Sequence, residues 1–319
     1  MTQAATTQHK LASRSETLAS VYRGLLGILM PTFAWVAPRW SRRTQRAIGR
    51  FLAWSFWKAR PKYERAVCRN IAKVLGRDPA GEDVRRLAYA MHYNHAYFWI
   101  DLFHFSGKTE EEIERHVAYR KGDEIMTEAL AGGRGLIIAT AHLGNWELGG
   151  LLLGKKKLPV TVVYSKDRFE AIERFRSRAR TTSEVKELAV SDSPFSAIPL
   201  LAALRRNEIV ALQADRDWND RGVAVPFFGD PAFFPEGPIH LALASGAPLI
   251  FCFIFHEPGM RYGIEFGGPL PIDRTGDRAR DVRRNLERLA SYLEERIRAR
   301  IDQWYCYYPL WDDARRRLL

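Results

Sequence analysis

His142 and Glu147 stand five residues apart in TAHLGNWELGG (140–150), just after the apolar run Leu136-Ile137-Ile138-Ala139. A histidine delivered by a strand to the mouth of a helix suits a general base. The partial positive charge at a helix N-terminus disfavours the imidazolium, and a neutral ring accepts a proton near neutral pH. A carboxylate on the other ring nitrogen would fix the tautomer and stabilise the transient charge. With His142 just before the helix and Glu147 in its first turns, the two are expected to meet. Gly144 permits a tight turn or a close approach of substrate. The same short pattern also fits a histidine satisfied at a strand–helix junction, and spacing alone does not choose.

Elements that would position these residues follow in alternation. GLIIAT, PVTVVY (159–164), EIVALQA (208–214), APLIFCFIFH (247–256) and RYGIEFGG (261–268) read as strands. Between and after them, WELGGLLLG, 168–180, 196–206, 237–246 and roughly 281–301 read as helices, the last from apolar residues recurring every three or four positions. A further helix is read over 82–105. The fold class is therefore α/β, a central, mostly parallel sheet flanked by helices. Such sheets hold ligands at the carboxyl ends of their strands, where His142 lies.

Charge separates the chain into two parts. The net charge is +12, yet residues 1–80 hold 15 Lys/Arg against 3 Asp/Glu, while the remaining 239 residues hold 34 of each sign. Residues 24–38 carry no charge and are bracketed by Arg23 and Arg39. This run falls short of the ~20 apolar residues of a bilayer span, and Pro31 interrupts it. Residues 39–60 then mix arginines with Trp40, Phe51, Trp54, Phe56 and Trp57, the composition of the headgroup layer. Residues 1–60 are expected to be a basic, helical, membrane-associating segment on an anionic surface, and residues 61–319 the catalytic domain. Nucleic acid is not an expected partner, because no helix-turn-helix, zinc-finger or RNA-binding motif is present. His92, His95 and His104 lie on one helix without acidic or cysteine partners at ligand spacing, so no metal is expected. Three widely spaced cysteines suggest a reduced chain.

AHLGNWE (141–147) resembles the His-x4-Asp/Glu word of the lipid A biosynthesis acyltransferases. Further words follow in that family's order: VVY (162–164), a helix ending in Arg180, QADRDW (213–218), and RGVAVPFFGDPAFFPEGPIHLALASGAP (221–248). The resemblance spans about residues 60–315. It implies transfer of an acyl chain from a thioester, on acyl carrier protein or coenzyme A, to a hydroxyl of a membrane glycolipid such as a lipid A precursor. It implies His142 as base with Glu147 as partner, and no covalent acyl-enzyme, metal or other cofactor.

Arg180 and Asp215 match charged positions in or near the site, with Arg176, Arg178 and Asp217 as neighbouring competitors. Gly144 and Asn145, inside the first word, are expected to face substrate. The oxyanion donors are sought in backbone N–H groups near Gly144 or in Arg180. Phe227 and Phe228 are candidates for an acyl groove, though core packing explains them equally well. The basic excess follows the uncharged run, which places the catalytic domain on the cytoplasmic face of the inner membrane. Two rival readings stand: acylation of phosphatidylinositol mannosides or another lipid, and a non-catalytic membrane scaffold that has kept the fold.

Overall fold

Strand β2 (Leu136–Thr140) is buried along nearly its whole length, as a continuous apolar run in a central parallel strand must be. The structure is a computed structural model that describes residues 32–33, 35–167, 170–190, 195–218 and 220–312. Most of the uncharged run 24–38 lies outside them. The other strands are β1 (Val117–Lys121), β3 (Val160–Tyr164), β4 (Lys186–Ala189), β5 (Ile209–Gln213), β6 (Val223–Phe227), β7 (Asp230–Phe234), β8 (Leu249–Glu257) and β9 (Arg261–Gly267). The helices are α1 (Arg42–Ala59), α2 (Pro61–Leu75), α3 (Glu82–Phe105), α4 (Glu110–Glu114), α5 (Asp123–Ala131), α6 (Trp146–Lys155), α7 (Glu170–Thr182), α8 (Ile198–Arg205), α9 (Gly237–Ser245) and α10 (Arg278–Ala299).

Seven strands form one sheet in the order β1-β9-β8-β2-β5-β3-β4. From β8 to β4 neighbouring strands are parallel; β9 turns back antiparallel on β8 and carries β1 alongside it. Alternating side chains divide the core in two. Ile138, Ile254 and Val162 face α6 and α7. Ile137, Leu212 and Phe253 face α8, α9 and α10. The β6–β7 hairpin stands apart from the sheet. Its two-residue turn, Phe228-Gly229, has positive φ at both positions (50° and 82°), as a type I′ turn demands.

The expected strands and helices form with shifts of a few residues at their ends. Strands β1 and β4 and the hairpin, with its two prolines, were not anticipated. Phe227 and Phe228, the acyl-groove candidates, are buried among Phe234, Trp304 and Trp311, packed against other aromatic rings as the packing alternative has it.

Helix α1 starts at Ser41, whose hydroxyl accepts from the Thr44 N–H at 3.1 Å. One face, with Gln45, Gly49 and Ala53, is buried. Gly49 brings it close to α3: a Cβ there would sit 2.8 Å from the Tyr97 ring. The opposite face exposes Arg43, Arg46, Arg50 and Lys58 around Phe51 and Trp54. Among the described residues no helix is long and apolar enough to cross a membrane.

Candidate active site

Strands β2 and β5 pair in parallel with Thr140 opposite Gln213. The same register, continued two residues past both strand ends, sets His142 beside Asp215. Asp215 Oδ1 lies 2.8 Å from His142 Nδ1, and Asp215 Oδ2 accepts the His142 backbone N–H at 3.0 Å. Trp304 donates its indole N–H to Oδ2 at 3.2 Å. Ionised Asp215 is an acceptor only, so His142 carries its proton on Nδ1 and presents a bare Nε2. Among the described residues none hydrogen-bonds to Nε2. Burial holds the His142 pKa below the ordinary imidazole value; Asp215 pushes it up, and Arg216 opposes protonation. Asp215 is buried, but the His142 donors and the Arg216 charge outweigh that burial and keep its pKa low.

The expected contact between His142 and Glu147 is not formed. Glu147 lies one residue into α6 and turns to the α7 side. Its carboxylate accepts from Arg180 Nε at 3.0 Å and Arg176 Nη2 at 2.7 Å. Burial alone would raise the Glu147 pKa, but the two guanidinium groups lower it to about 2. Arg180 is itself shared with Glu187 at 2.8 Å and stacks over the Tyr164 ring at 4.8 Å. Arg176 and Arg180 thus form one clamp joining α6 to α7, and the competition between them dissolves.

Gly144 and Asn145, expected to face substrate, fasten the turn after β2 through their backbone and side-chain bonds. Gly144 has φ +70°, and a Cβ there would sit 2.1 Å from the Ile254 carbonyl oxygen. Its N–H donates to the Gln303 carbonyl at 3.0 Å, and the Asn145 N–H to the Ile254 carbonyl at 2.7 Å. Asn145 Oδ1 caps α6 by accepting from the Leu148 N–H at 3.1 Å, and its Nδ2 lies 3.4 Å from buried Asp101. The expected oxyanion donors are therefore already committed. Asp217 closes the loop after β5 by accepting the Gly222 N–H at 2.8 Å.

Arg216, Trp218 and Trp304 were missed in the sequence. Arg216 lies between the two aspartates of the QADRDW word. Its guanidinium lies 4.7 Å from the centres of both the Trp218 and the Tyr308 rings, with one N–H on the Tyr305 carbonyl at 3.3 Å. The Trp218 ring centre is 6.1 Å from that of His142. Trp304 carries no signal in its neighbourhood, because its partner is reached only through the tertiary fold.

The α3 histidines are held by other groups: His92 Nδ1 at 2.8 Å from the Ala88 carbonyl, His95 Nδ1 at 3.1 Å from Tyr307 Oη, and His104 Nδ1 at 2.9 Å from Gln45 Nε2. Among the described residues no cluster of His, Cys, Asp or Glu could hold a metal.

Two cavities meet at the strand ends, with Trp146 in the wall of one and Trp218 in the wall of the other, the two rings whose centres lie 5.2 and 6.1 Å from that of His142. The smaller, about 70 Å³, lies on the α6 face and is lined by Trp146, Gly149, Gly150, Val162 and Ile254, with Arg176 and Arg180 at its edge. The larger, about 460 Å³, lies on the α8–α9 face, with Arg216 and Trp218 in its wall. Tyr164 and Gln213 border both.

A profile of the bacterial lipid A biosynthesis acyltransferases matches residues 15–312, nearly the whole chain. The chain belongs to that family. Relatives of this acyltransferase include the phosphatidylinositol mannoside acyltransferase of Mycobacterium tuberculosis (strain CDC 1551 / Oshkosh), 29% identical over 76% of this chain and 75% of the relative. The phosphatidylinositol mannoside acyltransferase of Mycolicibacterium smegmatis is 28% identical over 85% of this chain and 89% of the relative. In this family member the word AHLGNWE does two jobs: His142 goes to Asp215, and Glu147 goes to the arginines of α7.

Proposed function

We propose that the protein transfers an acyl chain from an acyl thioester to a hydroxyl of a glycolipid, with His142 as general base. The observation that carries this reading is the buried His142–Asp215 pair at the strand ends, its imidazole flanked by the Trp146 and Trp218 rings, one in the wall of each cavity. His142 Nε2 takes the proton of the acceptor hydroxyl as its oxygen attacks the thioester carbonyl. Asp215 stabilises the imidazolium that forms. The C–S bond then breaks, and the departing thiolate takes the proton back from Nε2. No enzyme nucleophile is required. Arg216 supplies positive charge for the oxyanion in place of the committed N–H groups near Gly144.

The acceptor divides the reading in two. The activity for which the mycobacterial relatives are named favours a mannosylated phosphatidylinositol, and the family's name favours a lipid A precursor. Purified protein given acyl-ACP or acyl-CoA with each acceptor in turn settles this by mass spectrometry of the lipid product. Loss of thioester without any acylated lipid from either would sink the glycolipid reading. A scaffold would leave both donors untouched.

The base must be neutral to act, and burial lowers its pKa. Activity therefore holds as pH falls to the ordinary imidazole value of 6.5 and declines only below it. A kcat/KM profile whose acid limb lies above 6.5 would remove His142 as the titrating base.

The protein works on the cytoplasmic face of the inner membrane in this reading, and α1 provides the described part of its contact. Each exposed arginine or lysine near an anionic surface contributes about 1 kcal/mol, and Phe51 and Trp54 sit among them. Phe51→Glu with Trp54→Glu is expected to cut binding to vesicles containing anionic phospholipid at least tenfold, leaving turnover on detergent-dispersed acceptor within about twofold. Undiminished sedimentation with vesicles would refute a contact through this face. Point changes serve better than removal of residues 1–60. Arg42 bonds buried Asp101 at 3.2 Å and Gln45 bonds His104 at 2.9 Å, so truncation would strip a buried hydrogen bond from each partner.

A further inference from the structure

We infer that Gln213 is a catalytic residue: its side-chain amide donates a hydrogen bond to the thioester carbonyl oxygen as negative charge gathers there. This role for Gln213 rests on the acyl-transfer reading above.

Gln213 is the last residue of β5. The sheet registers place Thr140 of β2 opposite it on one side. On the other side Tyr164 of β3 comes next to it, one residue past the Val163–Leu212 pair. Cys252 of β8 falls beside Thr140, one residue past the Ala139–Phe251 pair. Side chains alternate along a strand, so these four share the α6 face of the sheet. The preceding row on that face, Val162, Ala211 and Ile138, is apolar. Both rows line the smaller cavity, and Gln213 and Tyr164 also border the larger.

Within the row, Tyr164 is occupied: its ring lies under Arg180 and its hydroxyl donates to Glu173. Gln213 is left over. Its Nε2 is buried and, among the described residues, has no hydrogen-bond partner. An amide N–H can only donate, and a buried donor left unmet destabilises a fold, which is why buried polar groups are nearly always paired. An apolar side chain of the same shape would avoid that cost. A substrate oxygen that accepts from Nε2 removes it.

His142 and Asp215 stand two residues beyond Thr140 and Gln213 on the same two chains, at most about 7 Å of extended backbone. The His142 ring and the Gln213 amide are therefore close enough to serve one reacting centre. The acceptor hydroxyl gives its proton to His142 Nε2 and needs no donor. The thioester carbonyl oxygen does. When the hydroxyl oxygen bonds to the carbonyl carbon, the C=O π pair moves onto this oxygen, and it returns as the C–S bond breaks. Gln213 transfers no proton; its N–H holds the transient charge. The Gly144 and Asn145 N–H groups are committed to the Gln303 and Ile254 carbonyls. Arg216 brings charge from beside the Trp218 and Tyr308 rings, and Gln213 adds the directed bond.

The test removes the amide and keeps the shape. Gln213→Met is nearly isosteric and has no N–H. With lauroyl-CoA and a detergent-dispersed phosphatidylinositol mannoside, its kcat is expected to fall about 10²–10³-fold, the usual loss for one oxyanion donor, while both KM values and the acid limb of the pH profile change little. Its Tm should equal or exceed that of wild type, because a buried unmet donor is gone. Gln213→Ala is the second variant if Gln213→Met packs poorly. A readout free of turnover uses the ketone analogue of lauroyl-CoA, with CH₂ in place of sulfur, bound to His142→Ala protein. Its C=O stretch should shift to lower frequency on binding, and adding Gln213→Met should abolish the shift. Wild-type kcat in Gln213→Met, a kcat loss that tracks a lower Tm in both variants, or a C=O stretch that Gln213→Met leaves unchanged would overturn the role of Gln213. Neither transfer nor thioester loss in the wild-type protein, with the C=O shift still abolished by Gln213→Met, would instead overturn the acyl-transfer reading and leave the Gln213 contact standing.

Discussion

Replacing His142 by alanine lowers acyl transfer by about 10²–10⁴-fold, the usual cost of a general base, with no loss of folded protein. Asp215→Asn is expected to produce a deficit of similar size. An asparagine presents an oxygen or an NH₂ group to Nδ1, and the NH₂ orientation would force the ring into the wrong tautomer. Even the oxygen orientation no longer stabilises the imidazolium. The double variant should then be little worse than either single one, because the two side chains act as a unit. Steady-state kinetics on the four proteins, with circular dichroism to confirm folding, measures this. A multiplicative loss in the double variant would mean that Asp215 works independently of the ring. Near-normal turnover in His142→Ala would remove the base altogether.

Glu147 is expected to fail differently. Its carboxylate is buried between Arg176 and Arg180, so Glu147→Ala leaves Arg180 with Glu187 alone and takes from Arg176 the carboxylate it bonds. Breaking a buried pair from one side costs about 3–5 kcal/mol, and Glu147→Ala should lose that much in denaturant unfolding at neutral pH. The loss depends on pH with a definite sign. The Glu147 pKa is held at about 2, against 4.5 for a free glutamate. The ion cluster stabilises fully above 4.5 and fades as pH falls toward 2, where the gap between wild type and Glu147→Gln should close. Wild-type stability together with a collapsed kcat would instead return Glu147 to the chemistry.

These two outcomes differ because the spacing in AHLGNWE says which residues are near in sequence but not which way a helix turns them. Apart from β4 and the hairpin, the strand–helix alternation was readable from β2 through α10, since apolar runs and helical periodicity are local signals. His142 at a strand end followed from it. Its true partner did not, because Asp215 is brought in by the β2–β5 register across 73 residues. Once those strands are known to pair, the two site residues fall at the same offset from their strand ends. Strands β1 and β4 escaped notice because VAYRK and KELA are short, mixed edge strands without an apolar run. The hairpin escaped because Pro226 and Pro231 argue against strands. In a two-stranded ribbon both strands are edges, where proline is tolerated.

The turn that holds His142 is fastened by a segment made long after it. Trp304 bridges Leu143 antiparallel, the Tyr305 N–H donates to the His142 carbonyl at 2.8 Å, and Gln303 takes the Gly144 N–H. During synthesis the strand and helix on either side of the turn emerge well before residues 303–305 exist. A growing chain therefore holds both His142 and Asp215 while the turn is still unanchored and Asp215 lacks its indole donor. The arrangement around His142 is complete only when this late segment docks.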